Sequence, residues 1–386
     1  MQYVGGNRLG LLRNGEQYFP ALLAAIDAAR EEIFLESYIF ADDQTGSLVA
    51  DALARAAARG VAVRLLIDGF GARDFAPRFR RALAEAGAKL LVFRPQPTAI
   101  PRRNRLRRMH RKLAAVDGRV AFVGGINIVD DYETPHADPR VTPPRYDYAV
   151  RIEGPLAHEV RAASARLWRK VSWAALRRRR ELLQAPPAPP PAGSQRAAIV
   201  IRATLGHRRD IENAYLAQID GAKSEIVIAC AYFFPGRRFR RSLVAAAARG
   251  VRVRLLLQGK IEYRFLHYAS RGFYGLLLDA GIEIYEYNHS LLHAKVGVFD
   301  CCVSCVGSSN IDPFSLLLSR EANVFVDDAG FSAELRASLE EAMRTGSSPL
   351  PQAQWRQQPF WLRLRIWIAY GLARLIIIFY GFERYH

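Results

Sequence analysis

The chain has 386 residues, half of them hydrophobic, so it is long enough to bury one large core or two smaller ones and is no disordered segment. Its 55 lysines and arginines against 37 acidic residues leave a formal charge of +18. That balance favours a polyanionic partner, whether nucleic acid, an anionic membrane or a phosphate-bearing substrate, and does not choose among them.

The opening stretch "MQYVGGNRLGLLRNGE" lacks the apolar core of a signal peptide. From there the chain reads twice. "AAIDAAREEIFLESYIF" (24–40) returns as "AQIDGAKSEIVIACAYF" (217–233), each the end of a helix followed by a buried strand. "LARAAARGVAVRLLIDG" (53–69) returns as "LVAAAARGVRVRLLLQG" (243–259), an Ala-rich helix, a Gly stop and an alternating strand. "ALAEAGAKLLVF" (82–93) parallels "LLLDAGIEIYEY" (276–287). Helices alternating with strands predict an α/β sandwich with a mixed sheet in each half. Between the halves, "APPAPPPAG" (185–193) can continue neither a helix nor a central strand and reads as a stiff, extended linker. The expected organisation is a first half over 1–184, the linker over 185–193, a second half over 194–350 and a terminal segment over 355–386.

After the third repeated segment each half carries the same constellation. His110, Lys112 and Asp117 recur at equal spacing as His293, Lys295 and Asp300, in "HRKLAAVDGRVAFVGGIN" and "HAKVGVFDCCVSCVGSSN". Residues two apart on a strand point to one face, so each His shares a face with its Lys. One histidine can attack phosphorus while the other protonates the leaving alkoxide and later deprotonates the incoming nucleophile. The lysines, with Asn127 and Asn310 after the Gly-rich turns, can hold the non-bridging phosphate oxygens, and the Ser308 hydroxyl can add a donor. With lysines supplying the positive charge, neither metal nor cofactor is expected. Asp117 and Asp300 are expected to pair locally and hold a turn.

Cys230, Cys301, Cys302 and Cys305 contain a formal C-x-x-C, but no second ligand pair for zinc is evident. They are expected to be ordinary core thiols, and nothing in them demands an oxidising compartment.

The doubled His-x-Lys-x-x-x-x-Asp pattern with its Gly-rich turn ending in Asn resembles the phospholipase D superfamily. The flanks "GGINIVDDY", "RYDYAVRIEGP", "LHAKVGVFD" and "GSSNIDPFSL" are similar to those of bacterial cardiolipin synthases, nearest the B type. The resemblance implies two pseudo-symmetric halves with the motif strands face to face and one active site at their interface. It implies His110 as nucleophile and His293 as acid and base. It matches Glu321 and Asp147 to the acids that orient the histidines. It implies phosphatidyl transfer between two phosphatidylglycerol molecules through a phosphatidyl-histidine, giving cardiolipin and glycerol. The alternatives that stay open are a phospholipase D with another donor or acceptor, and a nuclease of the same superfamily.

Two further segments bear on the partner. "PRRNRLRRMHRK" (101–112) gathers arginines before His110, whereas "EYNHSLLH" before His293 is nearly uncharged. That loop suits capture of anionic headgroups, or of a phosphodiester backbone in a nuclease. "FWLRLRIWIAYGLARLIIIFYGF" (360–382) is apolar and aromatic but interrupted by Arg363, Arg365 and Arg374. From Ile366 to Phe382 a helix would span about 25 Å, short of the ~30 Å hydrocarbon core, with Arg374 near its middle. The segment is expected to lie in the membrane interface as a peripheral or monotopic anchor, on the cytoplasmic face of the inner membrane, and a soluble nuclease has no use for it.

Overall fold

Residues 1–95, 108–132, 144–174, 184–202, 207–261, 264–312 and 319–379 are described in the structure, a computed structural model. The arginine-rich stretch over 101–107, the arginine run over 177–180 and the insertion over 136–143 lie outside the described residues.

The first half runs β1 (Val4–Arg13), α1 (Asn14–Ala28), β2 (Glu32–Ser37), α2 (Gln44–Ala58), β3 (Ala62–Asp68), α3 (Pro77–Glu85), β4 (Lys89–Phe93), β5 (Lys112–Val116), β6 (Val120–Gly124), β7 (Tyr148–Glu153) and α4 (Pro155–Ala174). The second runs β8 (Gln195–Ile201), α5 (Asp210–Gly221), β9 (Glu225–Cys230), α6 (Arg237–Ala248), β10 (Arg252–Gln258), α7 (Arg264–Arg271), α8 (Tyr274–Asp279), β11 (Glu283–Tyr287), β12 (Lys295–Phe299), β13 (Val303–Gly307), β14 (Ala322–Asp327) and α9 (Ala329–Gly346). β15 (Ser347–Pro349), α10 (Gln352–Arg356) and α11 (Phe360–Phe379) follow.

The Ala-rich helices start and stop where local chemistry dictates. Asp43 caps α2 by accepting the Gly46 N–H, and both α2 and α6 end in a turn through a left-handed glycine, Gly60 (φ 90°) and Gly250 (φ 86°). The strands that follow are apolar on both faces because helices cover the parallel part of each sheet.

The strands form one continuous fifteen-stranded mixed sheet. Outward from the centre the order is β1-β7-β6-β5-β2-β3-β4 on one side and β8-β14-β13-β12-β9-β10-β11-β15 on the other, so the repeat in the sequence is a repeat in topology. β1 and β8 join the halves by an antiparallel pairing, Val4 opposite Ala197, with a register break before Asn7. The linker is pinned to this seam, the Ala192 N–H donating to the Gly6 carbonyl at 2.8 Å. β6 and β7 pack against β13 and β14. A central core of Val123, Val150 and Ile152 with Val296, Val306 and Val324 fills that interface, and each half keeps its own outer core beneath its helices.

α11 docks on the body through one stripe. Ile366, Ala369 and Ala373 are buried, and the Tyr370 ring meets Phe273 edge-on at 5.0 Å. Its other faces leave Phe360, Trp361, Leu364, Trp367 (73% exposed), Leu372 and Leu375 in the open. Among the described residues no helix is long and apolar enough to cross a membrane.

Two of the four thiols depart from expectation. Cys230 and Cys305 are buried, but Cys301 and Cys302 sit in the turn after Asp300, Cys302 exposed, because the chain there bends through two left-handed residues.

Candidate active site

Lys112 and Lys295 open β5 and β12, and each histidine sits two residues earlier, at the end of the sheet where the halves meet. Here the backbones cross over. Met109 bridges Arg320, and the His110 N–H donates to the Arg320 carbonyl at 2.9 Å. Tyr146 bridges Leu292, and the His293 N–H donates to the Tyr146 carbonyl at 2.8 Å. Each motif strand therefore continues onto the segment of the other half that carries an acid.

The acids follow this exchange. His110 Nδ1 lies 3.0 and 3.1 Å from the two Glu321 oxygens, and His293 Nδ1 lies 2.6 Å from Asp147 Oδ2. Each histidine is held by the carboxylate of the opposite half. An ionised carboxylate only accepts, so each Nδ1 carries the hydrogen and each Nε2 keeps a lone pair. Both imidazoles are 15% exposed, while Glu321 and Asp147 are buried, so the rings present one edge to solvent and the acids none.

Charge is concentrated and desolvated. Burial pushes Lys112 down to about 7, with Lys295 adding to the shift and Glu321 opposing it. Burial pulls His110 down against the pull of Glu321. His293 falls well below its ordinary value through burial and then through Lys295, Arg145 and Lys112. Burial raises Asp147 to about 6 although Lys295 opposes it. Burial and the neighbouring lysines thus favour the neutral form of both histidines. Each lysine ammonium donates to the carbonyl of its own histidine, Lys112 at 2.8 Å, which aims both along the strand ends.

The remaining expected residues fall into two groups. Asn127 accepts the Ile39 N–H through Oδ1 at 3.1 Å, which turns its amide NH2 outward from that bond, and Asn310 is buried at the equivalent turn. Asp117 and Asp300 stand at the far ends of β5 and β12, away from the histidines. Asp117 accepts the N–H groups of Arg30, Glu31 and Glu32, and Asp300 those of Lys223, Ser224 and Glu225, at 2.8 to 3.0 Å. Burial works against Asp300, but these donors hold its carboxyl below the usual range. Both adopt φ of 51° in the hairpin turn after their strand, and their carboxylates hold the turns that lead from α1 into β2 and from α5 into β9.

Ser308 takes a place other than the expected one. It is fully buried and its hydroxyl donates to Glu321 Oε2 at 2.5 Å, so it braces the acid instead of facing a phosphate. The first half has Gly125 at the equivalent position, where a Cβ would stand 2.3 Å from Asp147 Oδ1. The shorter acid comes with the residue that leaves it room.

Sequence reasoning missed two neighbours of His110. Tyr38 meets the imidazole edge-on at 4.8 Å and lies 5.2 Å from the Lys112 ammonium. Asp68, fully buried, accepts the Met109 N–H at 2.8 Å and so fixes the backbone just before His110. In the second half Gln258 accepts the Leu292 N–H at 3.3 Å. The mismatch of "IDG" with "LQG", and of Tyr38 with Ala231, marks in the repeat where the halves differ around their histidines.

Two halves that lend each other the acid behind a histidine, over a pair of buried lysines, define a phospholipase D-like protein. A family model described as "Cardiolipin synthase, PLD-like domain" matches residues 22–135 and 215–343. The chain is 36% identical over 370 residues to cardiolipin synthase B of Escherichia coli strain K12, covering 96% of this chain and 88% of that one. It is 30% identical to the major cardiolipin synthase of Bacillus subtilis strain 168, covering 94% of this chain and 74% of that one. In fold it is similar to the crystal structure of phosphatidylserine synthase from Haemophilus influenzae Rd KW20, with a TM-score of 0.66 at 13% identity over 95% of this chain and 93% of that one. The chain belongs to the cardiolipin synthase family of phospholipase D-like proteins.

Proposed function

We propose that this protein is a cardiolipin synthase that works by double displacement at phosphorus. His110 Nε2 attacks the phosphodiester of one phosphatidylglycerol. The bond to the glycerol oxygen breaks, and His293, protonated at Nε2 as the phosphodiester binds, gives that oxygen its proton and is left neutral. His293 then takes the proton of a primary hydroxyl on a second phosphatidylglycerol, whose oxygen attacks the phosphatidyl-histidine. Cardiolipin forms and His110 is regenerated. One phosphodiester replaces another, so the reaction needs no nucleotide. Lys112 and Lys295 hold the non-bridging oxygens, Asn127 and Asn310 add donors, and Glu321 and Asp147 keep the tautomers. The observation that carries this reading is the exchanged pair of carboxylates behind the two motif histidines.

Tyr38 and Asp68 favour His110 as the nucleophile, since a packed ring and a fixed backbone suit an atom that must form a bond at one position. His293 is lowered by burial and by Lys295, Arg145 and Lys112, so an arriving phosphate raises its proton affinity and suits it to the acid and base role. The apolar stripe of α11 suits a seat on the membrane surface that supplies both substrates.

Product analysis tests the assignment. Purified protein with phosphatidylglycerol in mixed micelles is expected to yield cardiolipin and free glycerol in equal amounts. Phosphatidic acid without cardiolipin would make it a phospholipase, and no lipid turnover with cleavage of single-stranded DNA would make it a nuclease.

Binding should also take up protons. A bound phosphodiester favours the charged form of Lys112, which burial pushes down to about 7, and of His293. Because the complex then binds more protons than the free protein, affinity falls as pH rises through 7. Calorimetry of phosphatidylglycerol binding to the His110→Ala protein, in buffers of different ionisation enthalpy, should show net uptake at pH 7.5. Proton release on binding would contradict the electrostatics described above.

A further inference from the structure

Phe234, Arg237, Arg240, Phe273, Tyr370 and Arg374 line a cavity of about 210 Å³ between α6, α7 and α11. The Arg240 guanidinium lies over the Phe273 ring at 4.5 Å and donates to the Pro235 carbonyl at 2.7 Å. The Arg374 guanidinium lies over Tyr370 at 5.9 Å. Burial pulls Arg240 below its ordinary range, and the nearby Arg374 and Arg237 add to the shift while Tyr370 opposes it. Among the described residues none of the three guanidinium groups has a carboxylate in ion-pair contact. Three cations gathered on an aromatic floor, with no carboxylate paired to them among the described residues, repel one another until an anion joins them.

The surroundings say which kind of anion. A second groove of about 430 Å³ shares Arg237 and Arg240 and continues over Val244, Ala245, Ala248 and the half-exposed Leu276, an apolar track leading off a cationic head. Arg374 itself stands on α11, beside the open apolar stripe of Trp367, Leu372 and Leu375. A phosphate ester with a hydrocarbon chain fits both parts, whereas a free phosphate uses only the first. The cavity shares no lining residue with the two-histidine site. Its wall is nonetheless tied to that site, the Phe234 N–H donating to the carbonyl of Ile311, next to Asn310, at 2.7 Å.

We propose that this cavity is a second lipid site, which holds the phosphate of an anionic phospholipid between Arg237, Arg240 and Arg374. An acyl chain lies along the groove over Val244 and Leu276, and the open stripe of α11 rests in the bilayer surface. A lipid held there docks the enzyme with its mouth beside the Asn310 loop.

The test is vesicle binding by the full chain. Phosphatidylcholine vesicles with and without phosphatidylglycerol would be sedimented with the parent and with Arg237→Gln/Arg240→Gln/Arg374→Gln. A control, Arg166→Gln/Arg169→Gln/Lys170→Gln, removes three exposed charges from α4. The first triple is expected to lose roughly a hundredfold in affinity for the anionic vesicles, at about fivefold per basic residue, and the control far less. Turnover of a short-chain monomeric phosphatidylglycerol should persist in the first triple, since it needs only the histidine site. Should Arg240→Gln unfold the protein, the exposed pair Arg237→Gln/Arg374→Gln is expected to lose about twenty-fivefold. Glycerol phosphate, a headgroup without chains, should not displace the vesicles. Equal losses in both triples would reduce the effect to diffuse surface charge and overturn the proposal. Displacement of the vesicles by glycerol phosphate would overturn the lipid assignment in favour of a free phosphate ester.

Discussion

His110→Ala and His293→Ala are each expected to lower cardiolipin formation by roughly 10⁴- to 10⁶-fold, and the double variant to be no worse than the poorer single one. Groups that act in one proton relay lose their value together, so their costs do not add. The two variants should differ in what they accumulate. Without His293 the phosphatidyl-enzyme has no base to activate its acceptor, so quenching in alkaline denaturant, in which a histidine N–P bond survives, after mixing with phosphorus-labelled phosphatidylglycerol should trap label on His110. Without His110 nothing should be trapped. Peptide mapping decides the matter, and label on His293 in the His110→Ala protein would reverse the two roles.

Glu321→Gln and Asp147→Asn are expected to cost about 10³- to 10⁴-fold each, with little change in stability or fold. The replacement amide no longer favours the Nδ1–H tautomer and does not offset the imidazolium that forms during proton transfer. The informative readout is which histidine responds. Glu321 lies in the second half but faces His110, and Asp147 lies in the first half but faces His293. In proton spectra of the ring N–H groups, Glu321→Gln should therefore move the His110 signal and leave that of His293, and Asp147→Asn the reverse. A response within the same half in either variant would refute the exchanged arrangement.

The extent to which the site could be read beforehand follows the range of the interactions involved. The pairs His110 with Lys112 and His293 with Lys295 are two residues apart where an extended segment runs into a strand, so the alternation of extended chain suggests one face for each pair. The repeated helix, Gly stop and buried strand implied the same topology twice, and the sheet order is indeed the same on both sides of the β1–β8 seam. Asp117 and Asp300 were expected to hold turns, and backbone N–H groups surround both.

Contacts between distant segments were not legible in this way. Spacing along the chain could place Asp147 after His110 and Glu321 after His293, but could not show that the crossing backbones give each acid to the other half's histidine. Ser308 was expected to face a phosphate, and only the packing of β13 on β14 turned its hydroxyl onto Glu321. Asp68 and Tyr38 lie far from His110 in sequence and reach its surroundings because β2 pairs with the motif strand and β3 pairs with β2.

The terminal helix divides along the same line. Its aromatic and apolar composition, broken by three arginines, was enough to argue against a spanning segment. That one stripe docks on Phe273 and Phe234 while another stays open depended on where α6 and α7 lie. Residue types and their periodicity determined the chemistry available, the doubled fold and the basic, amphipathic character of the chain, because those are properties of short stretches of backbone. Which histidine each carboxylate serves, which hydroxyl is spent on a neighbour and which arginines converge were decided by tertiary packing, because it alone brings together groups that the chain keeps far apart.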